Sequence, residues 1–248
     1  WINPDEKMAE RSFDDYLQYG PLAALDAIEQ ATGEREVNAL GYCLGGTLLG
    51  ITNAYLAAVG DSRITSGTHL TTMLDFGEPG ELGVFIEEEQ IASLEKRMAV
   101  KGYLDGSEMA TTFSMLRAND LMWSFFINNY LLGKDPFPFD LLYWNSDSTR
   151  MPAKMHSFYM RYFYQNNRLK APGGISLLGT PIDLTKVKVP AYFLSAIEDH
   201  ISPWTSNYAG SRLDPSPVQF RLPGHGQIAG PLNPPPANKH VLWPAPNP

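Results

Sequence analysis

Gly41-Tyr42-Cys43-Leu44-Gly45 sets the only cysteine of a 248-residue chain between two glycines, filling the G-x-S-x-G pattern of a nucleophile elbow with sulfur in place of oxygen. The run Val37-Asn38-Ala39-Leu40 leads in as a short strand, and Gly46-Thr47-Leu48-Leu49-Gly50-Ile51 leads out as a helix. A sharp strand-to-helix turn needs small neighbours, and Gly41 and Gly45 are expected to meet that need. The start of the following helix favours negative charge on the sulfur, because its first N–H groups are unpaired and the helix dipole points its positive end there. A free buried cysteine at a strand-helix junction is the bland alternative for such a residue, and the flanking glycines weigh against it.

Composition sets the limits within which this motif acts. The chain is 44% hydrophobic with no long apolar run, so it can bury a full core as one α/β domain, and no segment approaches a membrane span. One cysteine forbids an internal disulfide and suits a reducing compartment. The net charge of −8 argues against nucleic acid, which needs a basic face to neutralise phosphate. The 20 prolines and 21 glycines are dispersed, so the chain does not read as low-complexity.

Ser12 is placed to cap a helix beginning at Phe13, whose apolar face continues through Leu22, Leu25 and Ile28 to Gly33. Beyond the elbow helix, Ile64 to Leu74 reads as a second parallel strand of a βαβ unit. Strand signals return only at Val187 to Leu194 and at Val218 to Leu222. The chain therefore divides into a core at 1–76 with the elbow, a helical insertion (cap, or lid) at 77–184 over the sheet's carboxyl edge, and a second core part at 185–248. Within the insertion, Phe113, Met115, Leu116, Leu121, Met122, Trp123, Phe125 and Phe126 are expected to serve core and lid packing rather than a cofactor box. The fold class expected is α/β: an α/β-hydrolase fold with a mostly parallel sheet and this lid.

In that fold an acid and then a histidine follow the nucleophile along the chain. Asp199 suits the acid role, in the polar turn Ser195-Ala196-Ile197-Glu198-Asp199-His200 at a strand's end. Glu198 is its rival, and capping of a helix after Pro203 is the structural alternative for Asp199. Of the five histidines, His69, His156, His200, His225 and His240, only His225 sits in a glycine-flanked loop after a final strand. His200 is too close to the acid along the chain to bend back onto it, and is expected, with Trp144, to shape the substrate pocket.

These residues resemble the polyhydroxyalkanoate synthases, most closely the class I enzymes that polymerise short (R)-3-hydroxyacyl-CoA. The likeness is carried by Gly41 to Thr47, by Glu198 to Trp204 and by Asn145 to Pro152. Gly20 to Ile28, Leu74 to Gly83, Ile228-Ala229-Gly230 and Asn233-Pro234-Pro235 support it in the same order. The resemblance implies Cys43 as nucleophile, Asp199 as acid, coenzyme A as leaving group with no cofactor or metal, a cap formed by the middle region, and a homodimer in the cytoplasm at polyester granules. It also implies further domain and core strands before Trp1, including the loop that completes the oxyanion hole beside the Leu44 N–H, and sequence beyond Pro248.

One departure bears on the chemistry. Where the family reads Gly-His-Ile-Ala-Gly, this chain reads Gly226-Gln227-Ile228-Ala229-Gly230, and an amide cannot take a proton at neutral pH. His225 lies two residues earlier, about 6–7 Å along an extended backbone. Either the loop re-registers to deliver His225, or the chain is an impaired, granule-surface homologue. A third reading is a depolymerase or thioesterase with a cysteine nucleophile, passing the acyl group to water.

Overall fold

The computed structural model describes residues 2–116, 123–135, 147–224, 226 and 242–244. The chain forms two compact units, Trp1–Arg11 with Glu89–Ser157, and Ser12–Glu88 with Phe158–Pro248.

The larger unit is built on a five-stranded sheet. Its strands are β1 (Val37–Tyr42), β2 (Ile64–Leu70), β3 (Ala191–Leu194), β4 (Val218–Pro223) and β5 (Leu242–Pro244), adjacent in that order. β1 to β4 run parallel and β5 returns antiparallel. Helix α1 (Phe13–Leu17) starts at Ser12, whose N–H donates to the Asp15 carboxylate at 2.7 Å. It widens into a π-wound stretch at Gln18–Leu22, where Pro21 has no N–H to give the α-helical ladder. α2 (Ala23–Thr32) then runs to Gly33, which takes the left-handed conformation that ends it. Helix α3 (Leu44–Val59) crosses from β1 to β2, and Leu49 and Leu56 on it meet Leu25 and Ile64 in a buried cluster.

Two strands are shorter than their sequences suggest. β2 stops at Leu70 because Thr71 turns to φ 45°. β3 begins only at Ala191, since Pro190 lacks an N–H, although its carbonyl still accepts from Gly67 at 2.9 Å.

The boundary of the smaller unit also differs from the expected insertion at 77–184. Residues 77–88 and 158–184 cluster with the sheet. The reason is packing: Phe76, at the end of the segment after β2, lies 5.4 Å from Phe163 and 5.1 Å from Tyr164 between ring centroids, and Phe163 in turn stacks edge-on against Phe13. Leu169, Leu177 and Ile182 are likewise fully buried.

The smaller unit holds helices Glu88–Lys101, most of which falls within it, and Gly106–Leu116, together with a two-stranded antiparallel ladder of Tyr103-Leu104 with Met151-Pro152. Ile91, Met98, Leu104, Met151 and Met155 are among its buried residues. Lys101 reaches Asp105 at 3.6 Å and Arg97 reaches Glu108 at 3.2 Å, surface pairs of small energetic weight. Of the stripe expected to serve core and lid packing, Trp123 is 55% exposed and Met115 58%, Phe125 and Phe126 are also exposed, Phe113 and Leu116 are half-buried, and Leu121 and Met122 lie outside the described residues. Among the described residues no helix is long and apolar enough to cross a membrane.

Candidate active site

Cys43 stands at the carboxyl end of β1 with φ 52° and ψ −122°, a conformation that costs a non-glycine residue about 1–3 kcal/mol. Hydrogen bonds on both sides hold it there. Its N–H donates to Leu70 O at 2.9 Å, and its carbonyl accepts from Gly46 and Thr47 N–H at 2.9 and 3.2 Å. Those two donors are thereby turned inward, while the Leu44 N–H at the first helical position lies outside that set. The side chain is partly exposed.

The steric demand for glycine at the elbow lies elsewhere than the motif suggests. A Cβ on Gly41 would meet the Gly46 Cα at 2.5 Å, so this glycine is required by backbone contact. A Cβ on Gly45 would meet nothing within 4 Å, which corrects the expectation that it must be small. Gly46 takes that role: its Cβ would lie 1.9 Å from Thr72 Oγ1. The helix start is pressed directly onto the segment after β2, where Thr47 Oγ1 also donates to Met73 O at 2.7 Å.

Beneath the elbow, His69 is 2% exposed and stacks on Phe193 at 4.4 Å, with Nδ1 3.2 Å from Gly46 O. Burial pulls its pKa down to about 4, so it is neutral at pH 7 and its Nδ1–H is the donor in that contact. His69 therefore belongs to the scaffold of the elbow.

Asp199 is buried at the end of the turn after β3, and Glu198 beside it is exposed. Asp199 Oδ1 accepts from the Ile201 and Ser202 N–H groups, both at 2.9 Å. It does not cap the helix Trp204–Ser211, which starts from Pro203 without a side-chain cap. Oδ2 is buried and has no hydrogen-bond partner among the described residues. Burial pushes the carboxyl up to about 6, against the pull of its two N–H bonds. An oriented carboxylate with one free oxygen can receive the N–H of an imidazole.

The turn itself is locked in place. Ser202 Oγ donates to Asn207 Oδ1 at 2.8 Å, and Ser206 Oγ donates to Glu78 O at 2.8 Å, joining the acid turn to the loop after β2. Ile197 N–H donates to Pro223 O at 3.1 Å, and a Cβ on Gly226 would come within 3.9 Å of Glu198 O. The described flanks of the Pro223–Gly226 loop thus lie against the acid turn. His225, Gln227, Trp144 and His240 lie outside the described residues. His200 is partly buried beside Asp199, and His156 is buried in the smaller unit with its pKa pulled down to about 4. No group of three or more His, Cys, Asp or Glu among the described residues could hold a metal ion.

Three tyrosines lie within electrostatic reach of Cys43, and two of them, Tyr159 and Tyr164, stand outside any motif. Tyr42, Tyr159 and Tyr164 each feel the charge of Cys43, and Tyr42 and Tyr164 also that of Asp199. The one signal for the last two is the aromatic density of Phe158-Tyr159-Met160-Arg161-Tyr162-Phe163-Tyr164, which the sequence reading assigned to the insertion.

Comparison with known proteins agrees with this geometry. A family model described as the alpha/beta hydrolase fold matches residues 9–227. The poly(3-hydroxyalkanoate) polymerase subunit PhaC of Rhizobium meliloti is 54% identical over 243 residues, which are 98% of this chain and 40% of that protein. The poly(3-hydroxyalkanoate) polymerase of Methylorubrum extorquens is 52% identical over 235 residues, 95% of this chain and 39% of its own. PhaC of Cupriavidus necator is 42% identical over 248 residues, with 98% and 42% covered. The chain thus spans about two fifths of the length of these relatives. Among solved structures, a protein described as the non-heme bromoperoxidase BpoC of Mycobacterium tuberculosis superposes with a TM-score of 0.54 at 10% identity, over 93% of this chain and 72% of that one. At that identity the likeness concerns fold alone.

Proposed function

Because the chain belongs to the α/β-hydrolase fold family, we propose that it is the catalytic part of a polyhydroxyalkanoate synthase, polymerising (R)-3-hydroxyacyl-CoA, 3-hydroxybutyryl-CoA foremost, with release of CoA. The observation that carries the reading is Cys43, held at φ 52° on the elbow beside a buried acid turn whose Asp199 Oδ2 is unpaired among the described residues. The identities of 42–54% to named polymerases supply the substrate class.

Sulfur suits the chemistry. A thiolate that attacks a thioester forms another thioester of similar energy, so the acyl group stays activated for the next hydroxyl. Cys43 Sγ bonds to the acyl carbon while the Leu44 N–H helps to hold the oxyanion, and the C–S bond to CoA then breaks. A hydroxyl, deprotonated by a histidine that Asp199 orients, attacks the acyl-enzyme and lengthens the ester chain. The base is assigned to His225, since Gln227 has no basic nitrogen. A homodimer, a mobile lid formed by the middle region, a pocket shaped by His200 and Trp144, and a place in the cytoplasm at the polyester granule belong to the same proposal.

The test is product analysis with 3-hydroxybutyryl-CoA. Free CoA together with insoluble polyester supports the polymerase. Free CoA with soluble hydroxy acid would make the protein a hydrolase, and no CoA release would make it the impaired homologue that Gln227 suggests.

A further inference from the structure

The acid turn is gripped by a side chain from the helix that follows it. Helix Trp204–Ser211 starts from Pro203, and Asn207 closes its first turn by donating its N–H to Pro203 O at 3.1 Å. The Asn207 side chain reaches back out of the helix to Ser202. Its Oδ1 accepts from Ser202 Oγ at 2.8 Å, and its Nδ2 donates to Ser202 O at 3.2 Å. Both ends of the amide are thus spent on one residue, which fixes the hydroxyl and the carbonyl of Ser202 together. The N–H of that same Ser202 donates to Asp199 Oδ1 at 2.9 Å, beside the equal bond from Ile201. Asp199 and Ser202 are buried, and Asn207 is completely so.

The contacts continue from this helix to the elbow. Ser206, next to Asn207, exchanges two bonds with the Glu78 backbone, giving its hydroxyl to Glu78 O at 2.8 Å and accepting the Glu78 N–H at 3.1 Å. Gly210 presses the helix onto the segment after β2, where a Cβ would lie 3.0 Å from the backbone nitrogens of Leu74 and Asp75. That segment holds the elbow, through Thr72 against Gly46 and through Met73 O on Thr47. The helix is therefore registered on the elbow, and Asn207 registers the acid turn on the helix.

Packing alone does not require this arrangement. A buried amide and a buried hydroxyl each cost desolvation, and a pair of small apolar side chains would fill the same space without that cost. Directional bonds on Ser202 hold a peptide in one orientation. Orientation matters here because the group beyond it is a carboxylate with Oδ1 bound twice and Oδ2 without a partner among the described residues.

We propose that Asn207 is a positioning residue for the acid: by clamping Ser202 it keeps the Ser202 N–H on Asp199 Oδ1, which fixes the rotation of the carboxylate and reserves Oδ2 for the histidine base of the elongation step. This role rests on Asp199 as the acid. Asn207 takes no part in bond making. The incoming hydroxyl loses its proton to the imidazole, its oxygen bonds to the acyl carbon, the C–S bond to Cys43 breaks, and the proton returns to the departing sulfur, while Asp199 steadies the imidazolium.

First acylation and elongation are measured separately, as single-turnover and steady-state release of CoA from 3-hydroxybutyryl-CoA. The proteins are wild type, Asn207→Ala, the double variant Ser202→Ala with Asn207→Ala, and Asp199→Asn. The expected result is that Asn207→Ala lowers kcat by about tenfold, with KM and the single-turnover rate within about twofold of wild type, because only the step that needs the oriented base is affected. The double variant leaves no hydroxyl at 202 to be orphaned, and it is expected to show the same loss of kcat. Equal losses in both steps, as a smaller folded fraction would give, or a wild-type kcat in the double variant, would overturn the assignment. Should Asn207→Ala not fold, the double variant decides. Asp199→Asn tests the premise separately: elongation there at the wild-type rate removes the acid, whereas a slow Asp199→Asn beside a normal Asn207→Ala removes Asn207 alone.

Discussion

Thr72 Oγ1 occupies the space into which a Cβ on Gly46 would project, 1.9 Å from its ideal position. The elbow helix can lie that close to the segment after β2 only with glycine there. Gly46→Ala is therefore expected to lower stability by about 1–3 kcal/mol, as overpacking of a tight site does. Gly45→Ala, which meets nothing, should gain about 0.5–1 kcal/mol from reduced backbone freedom within a helix. Denaturant midpoints of the two variants check the contrast, and equal losses would refute it.

Cys43→Ala is expected to abolish acyl-enzyme formation while leaving the fold intact, because the φ of 52° is imposed by bonds of the backbone. Cys43→Gly should be more stable than Cys43→Ala by about 1 kcal/mol, since glycine accepts that conformation without strain. Labelling by an acyl-CoA analogue tests the first claim and urea titration the second. Labelling of Cys43→Ala at the wild-type level would remove the nucleophile assignment.

The raised pKa of Asp199 gives stability a signed pH dependence. The folded state holds this proton up to about pH 6, whereas the unfolded chain releases it near its ordinary 3.8. Between those values the native state binds more protons, so the Asp199 contribution falls as pH rises and is flat above about 6, a loss on the order of 3 kcal/mol. His69 and His156 act in the opposite sense, their lowered pKa values favouring the fold as pH rises from about 4 to 6.5. Asp199→Asn isolates the first effect: its stability relative to wild type should increase from pH 4 to pH 6. Parallel stability curves for the two proteins would contradict it. In kinetics the same variant should slow chain elongation more than first acylation, because the thiolate partly activates itself and a hydroxyl does not.

With His225 as the base, His225→Ala should lower steady-state CoA release by about 10²–10⁴-fold, and Gln227→His should add little. The reverse pattern, a silent His225→Ala and a sharp gain from Gln227→His, would move the base position to residue 227.

The elbow and the turn that buries Asp199 were legible because each is a short, local signal. Cys43 sits in five residues of fixed spacing, and Asp199 in a polar turn directly after a strand. The four parallel strands were each signalled by a local run, while the stop of β2 and the start of β3 were not, since they are set by one left-handed Thr71 and one missing N–H at Pro190. Gly46 and Thr72 escaped notice because they are 26 residues apart and touch only once the sheet has formed. Tyr159 and Tyr164 were hidden for a similar reason. Nothing in an aromatic run distinguishes a ring packed on Phe76 from one left at the surface.

The bond that joins Ser206 to Glu78 spans 128 residues of sequence. β2 likewise finds β3 only after the whole of the smaller unit has been traversed. Cys43 and Asp199 are thus made far apart in time on the ribosome, at roughly 5–20 residues per second. For several seconds the emerging chain holds a cysteine elbow without the carboxylate proposed to orient its base. Long-range pairing of this kind also slows folding, because loop closure must precede the contacts that stabilise it. On the proposed chemistry, a half-made chain would have the thiol of Cys43 but not the acid turn of Asp199.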